Sequence, residues 1–283
     1  MALLTKRLRA PEAAKYVLLA MLAILFLFPI YSLILASFRP GRDLMRYGIT
    51  FASLAPDFFS GNNYAALLTG HSGAYPVWYR NSLLLAFFQT VFTLGFSSFV
   101  GYGLGVYQFR ARNALTLLVL FIMIVPLQIL ILPLYKLMTT LHTMNTFPGI
   151  LLPFIVSPFA IFFFRQYAVG IPKDFLDAGR IDGLNEYAIF LRISAPLMTP
   201  AFGAMAILVA QQSWNNFLWP LIVVRTGNMF TLTIGLNSLL TPYGNNYDML
   251  IAGSCVASVP IIIVFFFFQK YFISGLSAGG IKG

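Results

Sequence analysis

Residues 171–200 read IPKDFLDAGRIDGLNEYAIFLRISAPLMTP. The segment lies between two long apolar runs. It is too polar to cross a bilayer and too patterned to be a slack loop. Four of the chain's eight acidic residues fall within it, Asp174, Asp177, Asp182 and Glu186. Pro172 suits the first turn of a helix, and Asp174 and Asp177 complement the positive end of its dipole. Phe175, Ala178 and Ile181 recur at three-residue spacing and make one apolar stripe. Gly183 can adopt a left-handed conformation and end that helix. Asn185 and Glu186 can cap and start a second one, in which Leu191 follows Tyr187 by four residues and Pro196 closes the segment. The expected structure is two short amphipathic helices joined at a glycine hinge. Pattern alone leaves two readings open: a helix pair lying on lipid, or a docking element for a partner.

Outside this segment the chain is mostly apolar. Of its 283 residues, 59% are hydrophobic and 9% charged, against roughly a quarter charged in soluble domains. Mean hydropathy is +0.82. Too few charges are present to cover a soluble surface of this size, and the apolar content excludes disorder. The composition is that of an integral membrane protein. The net charge of +10 fits basic cytoplasmic loops rather than a nucleic-acid partner. The single cysteine, Cys255, allows no disulfide within the chain and no cysteine-based metal site, and it reads as a small packing residue. His71 and His142 stand apart in loops with no ligand set around them, so no metal site is expected.

A helix needs about 20 apolar residues to cross the bilayer. Six runs qualify, at about 16–37, 82–105, 114–135, 148–164, 201–224 and 249–268. Pro29, Pro126, Pro133, Pro153, Pro158 and Pro260 fall inside them, which predicts kinks that neighbouring helices must re-satisfy. Lys6, Arg7 and Arg9 precede the first run as a signal peptide's basic region would. That run is too long for a signal sequence and no small-residue cleavage site follows, so it reads as an uncleaved span. With the N-terminus inside, the inner segments hold Lys6, Arg7, Arg9, Lys15, Arg110, Arg112, Arg165, Lys173, Arg180, Arg192, Lys270 and Lys282. The outer segments hold only Arg39, Arg42, Arg46, Arg80, Lys136 and Arg225. This asymmetry places both termini in the cytoplasm. The fold class expected is an all-α integral membrane protein with six transmembrane helices and a cytoplasmic helix pair, at about 171–197, between the fourth and fifth.

No acidic or basic residue lies inside a span; Asp248 borders the last. Ion-driven transporters usually bury such groups as relays, although sodium sites built from carbonyls and hydroxyls do without them. No phosphate-binding G-x-x-x-x-G-K-[ST] motif is present, nor any Gly-Lys pair. A solute carried by this chain therefore draws its energy from elsewhere. A membrane-embedded enzyme would need a nucleophile–base pair or a metal set in the spans, and neither is visible. The rival reading is a facilitative or ion-coupled carrier that works alone.

The run D-A-G-x-x-D-G over 177–183, followed by I-x-x-P over 193–196, resembles the EAA loop of ABC-importer permeases. The stretch WNNFLWPL at 214–221 and the tail QKYFISGLSAGGIKG at 269–283 narrow the resemblance to the MalG-like family of sugar-importer permeases. It extends over essentially the whole chain, as one importer transmembrane domain. Two positions depart from the family pattern: Asp177-Ala178-Gly179 stands for Glu-Ala-Ala, and Ala195 for the leucine that commonly precedes the proline. The resemblance implies a non-catalytic permease subunit in the cell membrane, whose loop seats in a cleft of a separate ATPase dimer. ATP and magnesium are bound by that partner, with no cofactor in this chain. It also implies a second permease subunit, a paralogue, and an extracytoplasmic solute-binding protein that delivers a carbohydrate. The residues it assigns to ATPase coupling are Asp177, Ala178, Gly179, Asp182, Gly183, Glu186, Phe190 and Pro196.

Other candidates are local. Gly101 and Gly105 form a G-x-x-x-G with Gly103 between them, a close-packing signal. Gln128, Gln211, Gln212, Asn215 and Asn216 are polar groups in apolar runs that can line a path for sugar hydroxyls or simply bond between helices. Trp214 and Trp219 can stack on a sugar ring, or pack as an interface belt. The resemblance implies that the outer segment 225–248, with TPYGNNYD, reaches into the binding protein, although a solvated connector reads equally well, and the long first outer loop, about 38–81, is a candidate for contact with the partner permease or the binding protein.

Overall fold

The computed structural model describes residues 10–48, 60–241 and 244–280. The readings placed on Lys6, Arg7, Arg9 and Lys282 lie outside these residues. The helices in chain order are α1 (Ala10–Ser37), α2 (Gly41–Tyr47), α3 (Asn62–Thr69), α4 (Ala74–Val106), α5 (Arg112–Ile124), α6 (Leu127–Thr140), α7 (Phe147–Leu151), α8 (Pro158–Val169), α9 (Lys173–Ile181), α10 (Glu186–Ile189), α11 (Ala195–Leu197), α12 (Thr199–Trp214), α13 (Leu218–Val223), α14 (Leu232–Ser238) and α15 (Tyr247–Gly280). Among the described residues the only strand pairing is a two-residue antiparallel ladder, Leu240–Thr241 with Gly244–Asn245. The protein is an all-α integral membrane protein.

Three helices are long and apolar enough to cross a membrane alone: α1, α4 and α15. Three bent pairs meet the same test, which gives up to six spans by length and composition; the third pair joins Glu186–Leu197, inside the 171–197 loop, to α12. The expected third span, 114–135, is not one helix. It breaks at Val125–Pro126, and α5 and α6 meet at 101°. Pro126 has no N–H to donate, so the ladder cannot run through it, and the chain turns there instead of kinking. The fourth span bends by 45° ahead of Pro158, which takes the first position of α8 behind a Ser157 cap. The expected fifth span, 201–224, is also interrupted, because α12 ends at Trp214 and α13 starts only at Leu218. Pro29, Pro133 and Pro260 sit inside helices that continue through them.

The chain divides by packing into two compact units. The first comprises Met1–Ser72 and Ser238–Val256. In it the Asn63 amide donates to the carbonyls of Ser37 at 3.0 Å and Arg39 at 2.7 Å, and the Gly41 N–H donates to the Asp248 carboxylate. These bonds hold the end of α1 to α3 and the start of α2 to the start of α15. Among the described residues, none of the most apolar stretch of α1 is buried.

The second unit comprises Gly73–Asn237 and Ala257–Gly283. Its organising element is α4. Gly101 and Gly105 bring α4 against the backbone of α8: a Cβ at Gly101 would stand 2.6 Å from the Ile161 carbonyl oxygen, and one at Gly105 2.7 Å from the Ala168 Cβ. The close-packing reading of this glycine pair is thereby given its partner. One apolar core gathers Tyr102, Phe164, Phe190, Met198 and Met205. A second gathers Leu85, Met138, Ile150, Trp219 and Ile234. Leu85 and Tyr102 are about 25 Å apart along the helix at 1.5 Å per residue, so α4 carries a core at each end.

Candidate functional site

The loop of residues 171–197 is built as its local chemistry requires. α9 starts after Pro172, with Asp174 in its first turn and Arg180 in its last. Its end is a Schellman motif: the Leu184 N–H donates to the Gly179 carbonyl at 3.0 Å and the Gly183 N–H to the Arg180 carbonyl at 3.0 Å. Gly183 has φ +79°, with open space where a Cβ would stand. Its requirement is therefore conformational, not steric. The Asn185 side chain then caps α10 by accepting from the Ala188 N–H at 2.8 Å. A π-helical turn over 190–194 leads into α11, and the chain swings by 79° at Met198 into α12. Pro196 lies inside α11, so the segment closes two residues later than expected.

The stripe of Phe175, Ala178 and Ile181 faces outward; Ile181 is 86% exposed and Phe175 50%. The covered face is Leu176 and Gly179. A Cβ at Gly179 would lie 2.6 Å from Ile193 Cδ1 and 3.3 Å from Ile189 Cγ1. The glycine that replaces the usual alanine thus lets α9 rest on the second helix. Phe190 is buried, 5.0 Å from the rings of Phe99 and Tyr102. It anchors the loop in the core, and the surface belongs to other side chains. The Asp182 backbone N–H closes the helix on the Ala178 carbonyl at 2.9 Å, and its side chain is exposed.

Two residues outside the sequence-based set complete the loop. The Arg180 guanidinium donates through Nη1 to Asp177 at 2.7 Å, through Nε to Glu186 Oε1 at 2.8 Å and through Nη2 to Glu186 Oε2 at 3.3 Å. The Tyr107 hydroxyl donates to Glu186 Oε2 at 2.7 Å. The Arg180 and Tyr107 hydrogen bonds hold the Glu186 carboxyl below the ordinary carboxylate range. The Glu186 carboxylate in turn raises Arg180. Burial, then Glu186, raises the Tyr107 phenol. Tyr187 stacks on Phe99 at 5.7 Å. Beneath these contacts lies a cavity of about 330 Å³ between Phe99, Tyr102, Tyr107, Glu186 and Phe190. A carboxylate at the start of a helix is an ordinary capping signal, and nothing local marks Glu186 as a partner of Tyr107, 79 residues away.

The candidate solute-path residues divide. A cavity of about 680 Å³ opens where the α5–α6 break faces α4, α8 and α12, and Gln212 lines it together with Gln89, Thr93 and Ser157. Gln89 accepts from the Ser213 hydroxyl at 2.8 Å, and the Thr93 hydroxyl donates to the Phe154 carbonyl at 2.9 Å. The signal that picked out Gln128, a lone amide in an apolar run, applied equally to Gln89. Gln128, Gln211 and Asn215 are exposed and outside this cavity. The Asn216 backbone carbonyl accepts from the Thr233 hydroxyl at 3.0 Å. Trp214 is buried, donates to the Ala257 carbonyl at 3.1 Å and meets Tyr79 edge-on at 5.5 Å, so its ring is engaged in packing. Trp219 is fully buried and donates to the Gly149 carbonyl at 3.1 Å. Among the described residues no group of His, Cys, Asp and Glu could hold a metal ion.

The segment after α13 is not slack. Asn81 donates to the carbonyls of Asn228 at 2.8 Å and Phe230 at 3.0 Å, and Ser82 accepts from the Leu232 N–H at 2.8 Å. Asn145 accepts from the backbone N–H groups of Arg225 and Thr226. Residues 225–232 are thereby strapped to the start of α4 and to the turn before α7.

The chain as a whole is similar to known proteins. The chain is 58% identical over 263 residues to the arabinooligosaccharides transport system permease protein AraQ of Bacillus subtilis, covering 93% of each chain. It is 53% identical to AraQ of Halalkalibacterium halodurans, covering 93% of this chain and 94% of that one. The lactose transport system permease protein LacG of Rhizobium radiobacter is 32% identical, over 98% of this chain and 99% of LacG. The fold is similar to that of a chain in the crystal structure of a bacterial ABC transporter involved in the import of the acidic polysaccharide alginate. The TM-score there is 0.80 at 24% identity, covering 96% of this chain and 100% of that chain. Residues 97–277, which include the whole 171–197 loop, match the family described as the binding-protein-dependent transport system inner membrane component, and the chain belongs to that family.

Proposed function

We propose that this chain is the permease subunit of an ATP-binding-cassette importer for arabinose-containing oligosaccharides, driven through the 171–197 loop by a separate ATPase. The substrate class rests on the two arabinooligosaccharide permeases that are more than half identical to it. The coupling role rests on one observation: α9 presents Phe175, Ala178 and Ile181 outward while its opposite face is fixed in the chain's own core. An apolar stripe on a rigidly mounted helix suits a cleft in a partner. In this reading both termini and the loop are cytoplasmic, in keeping with the Lys and Arg distribution. A paralogous second permease completes the pore, and a solute-binding protein delivers sugar at the other face. ATP binding closes the ATPase dimer, the loop moves as a body, and α8 and α12, which flank it, carry the motion into the membrane. ATP and magnesium bind on the ATPase, and this chain supplies no catalytic group.

Affinity purification of the tagged chain in mild detergent tests this directly. A second permease and an ATPase should copurify, and binding protein loaded with an arabinose oligosaccharide should stimulate ATP hydrolysis by the complex. Uphill sugar uptake by the chain reconstituted alone, without nucleotide, would establish the stand-alone carrier instead.

A further inference from the structure

We propose that Tyr107, acting through Glu186, ties the coupling loop to α4 and makes α4 a third lever beside the two helices that the loop joins covalently. This rests on the coupling role above and adds a positioning residue to it.

The tie has three parts. The Tyr107 hydroxyl bonds Glu186 at 2.7 Å, Tyr187 stacks on Phe99, and Phe190 wedges between Phe99 and Tyr102. Phe99 and Tyr102 lie in the last two turns of α4, and Tyr107 is the first residue beyond it. Glu186 also holds Arg180 of α9, so one carboxylate joins both loop helices to α4. The 33-residue helix spans about 50 Å at 1.5 Å per residue. Its other end carries Trp78, Asn81 and Ser82, the residues that strap the outer segment over 227–232. Among the described residues, α4 is therefore the element that bonds to the loop at one end and to the outer segment at the other. Phe190 packs for stability, but the exposed Glu186 bonds add little to it, since exposed ion pairs contribute roughly 0–1 kcal/mol. What the bonds supply is direction: a movement of α9 and α10 pulls on the end of a stiff helix.

The experiment uses the whole transporter in proteoliposomes, with wild-type chain, Tyr107→Phe, Glu186→Gln and the double variant. Solute moved per ATP is measured, together with hydrogen exchange of residues 225–232 with and without ATP. In the wild type ATP changes protection of that segment. In Tyr107→Phe that change and the transport ratio fall about three- to tenfold, the size of such couplings, with thermal stability and ATPase binding retained. The double variant loses no more than the worse single one. A Tyr107→Phe complex with wild-type ratio and wild-type ATP response at 225–232 overturns the tie and leaves the coupling loop standing. A wild-type chain that binds no ATPase overturns both.

Discussion

The indole of Trp78 packs against Gly235 with no room for a Cβ between them, and its Nε1–H donates to the Gly227 carbonyl at 3.1 Å. The glycine is thus a seat for the ring that pins the 225–232 segment. Gly235→Ala must push the indole off this seat, and overpacking of this kind costs about 1–3 kcal/mol. The variant is expected to melt earlier in detergent and to be nicked faster by protease within 225–231. Gly227→Ala, where a Cβ meets nothing within 4 Å, keeps the wild-type melting temperature and nicking rate.

The glycines of α4 make a sharper contrast. A Cβ on Gly101 meets the backbone carbonyl of Ile161 at 2.6 Å, which cannot move without shifting α8, whereas one on Gly103 meets nothing. Gly101→Ala is expected to destabilise the purified protein by about 1–3 kcal/mol. Gly103→Ala should be neutral or stabilising by up to about 1 kcal/mol, through helix propensity alone. Thermal unfolding of the two variants side by side decides it.

At the hinge the order should follow backbone conformation rather than size. Gly183 holds φ +79°, a region that costs an L residue roughly 1–2 kcal/mol and asparagine less. Stimulation of the ATPase should therefore fall in the order glycine, asparagine, alanine, with Gly183→Pro lowest and membrane insertion intact throughout. Gly179→Ala differs, because the obstacle is the mobile end of Ile193; its steric cost is offset by a propensity gain of about 1 kcal/mol, and near-wild-type stimulation is expected. Normal stimulation by Gly183→Pro would remove the hinge.

Much of this loop was legible in the residues, and the limits are physical. Gly183, Asn185 and Pro172 act on their immediate neighbours, so their roles follow from local chemistry. The stripe of Phe175, Ala178 and Ile181 is also local, but periodicity cannot say whether a stripe faces inward or outward. That was set by Ile189 and Ile193, which lie against Gly179 on the other side. Arg180 and Glu186 are separated by the hinge, and Tyr107 arrives from another helix, so the network they form exists only once the chain is folded. The same holds in the membrane. Pro126 signals a break, yet the 101° turn is set by what packs on either side. Trp214 resembles a sugar platform until Tyr79 and Ala257 are found against it.

Protonation should loosen the Glu186 network. Its carboxyl is held below the ordinary range by Arg180 and Tyr107, so the folded chain prefers it charged. The stabilisation is fully present above the unfolded value, about 4.3, and is lost as pH falls through the lowered folded value. Exchange of the 184–191 amides, corrected for intrinsic rate, should rise between pH 6 and pH 3 in the wild type, and much less in Glu186→Gln. The pair is exposed, so high salt at pH 6 should reproduce part of the effect. A pH response unchanged in Glu186→Gln would assign it to another group.

Trp214 and Gln212 lie two residues apart on α12 and should separate packing from solute contact. Trp214 spends its N–H on Ala257 and its ring on Tyr79. Trp214→Phe loses a hydrogen bond worth about 1 kcal/mol, together with some ring contact. The melting temperature should drop by roughly 2–4 °C while the KM for uptake stays put. Gln212 lines the 680 Å³ cavity. Gln212→Ala should leave the melting temperature unchanged and raise the KM, because a sugar hydroxyl in the cavity loses its partner. If Trp214→Phe changes KM while Gln212→Ala does not, the solute passes along the Trp214 face of α12, and the cavity at the α5–α6 break is packing space.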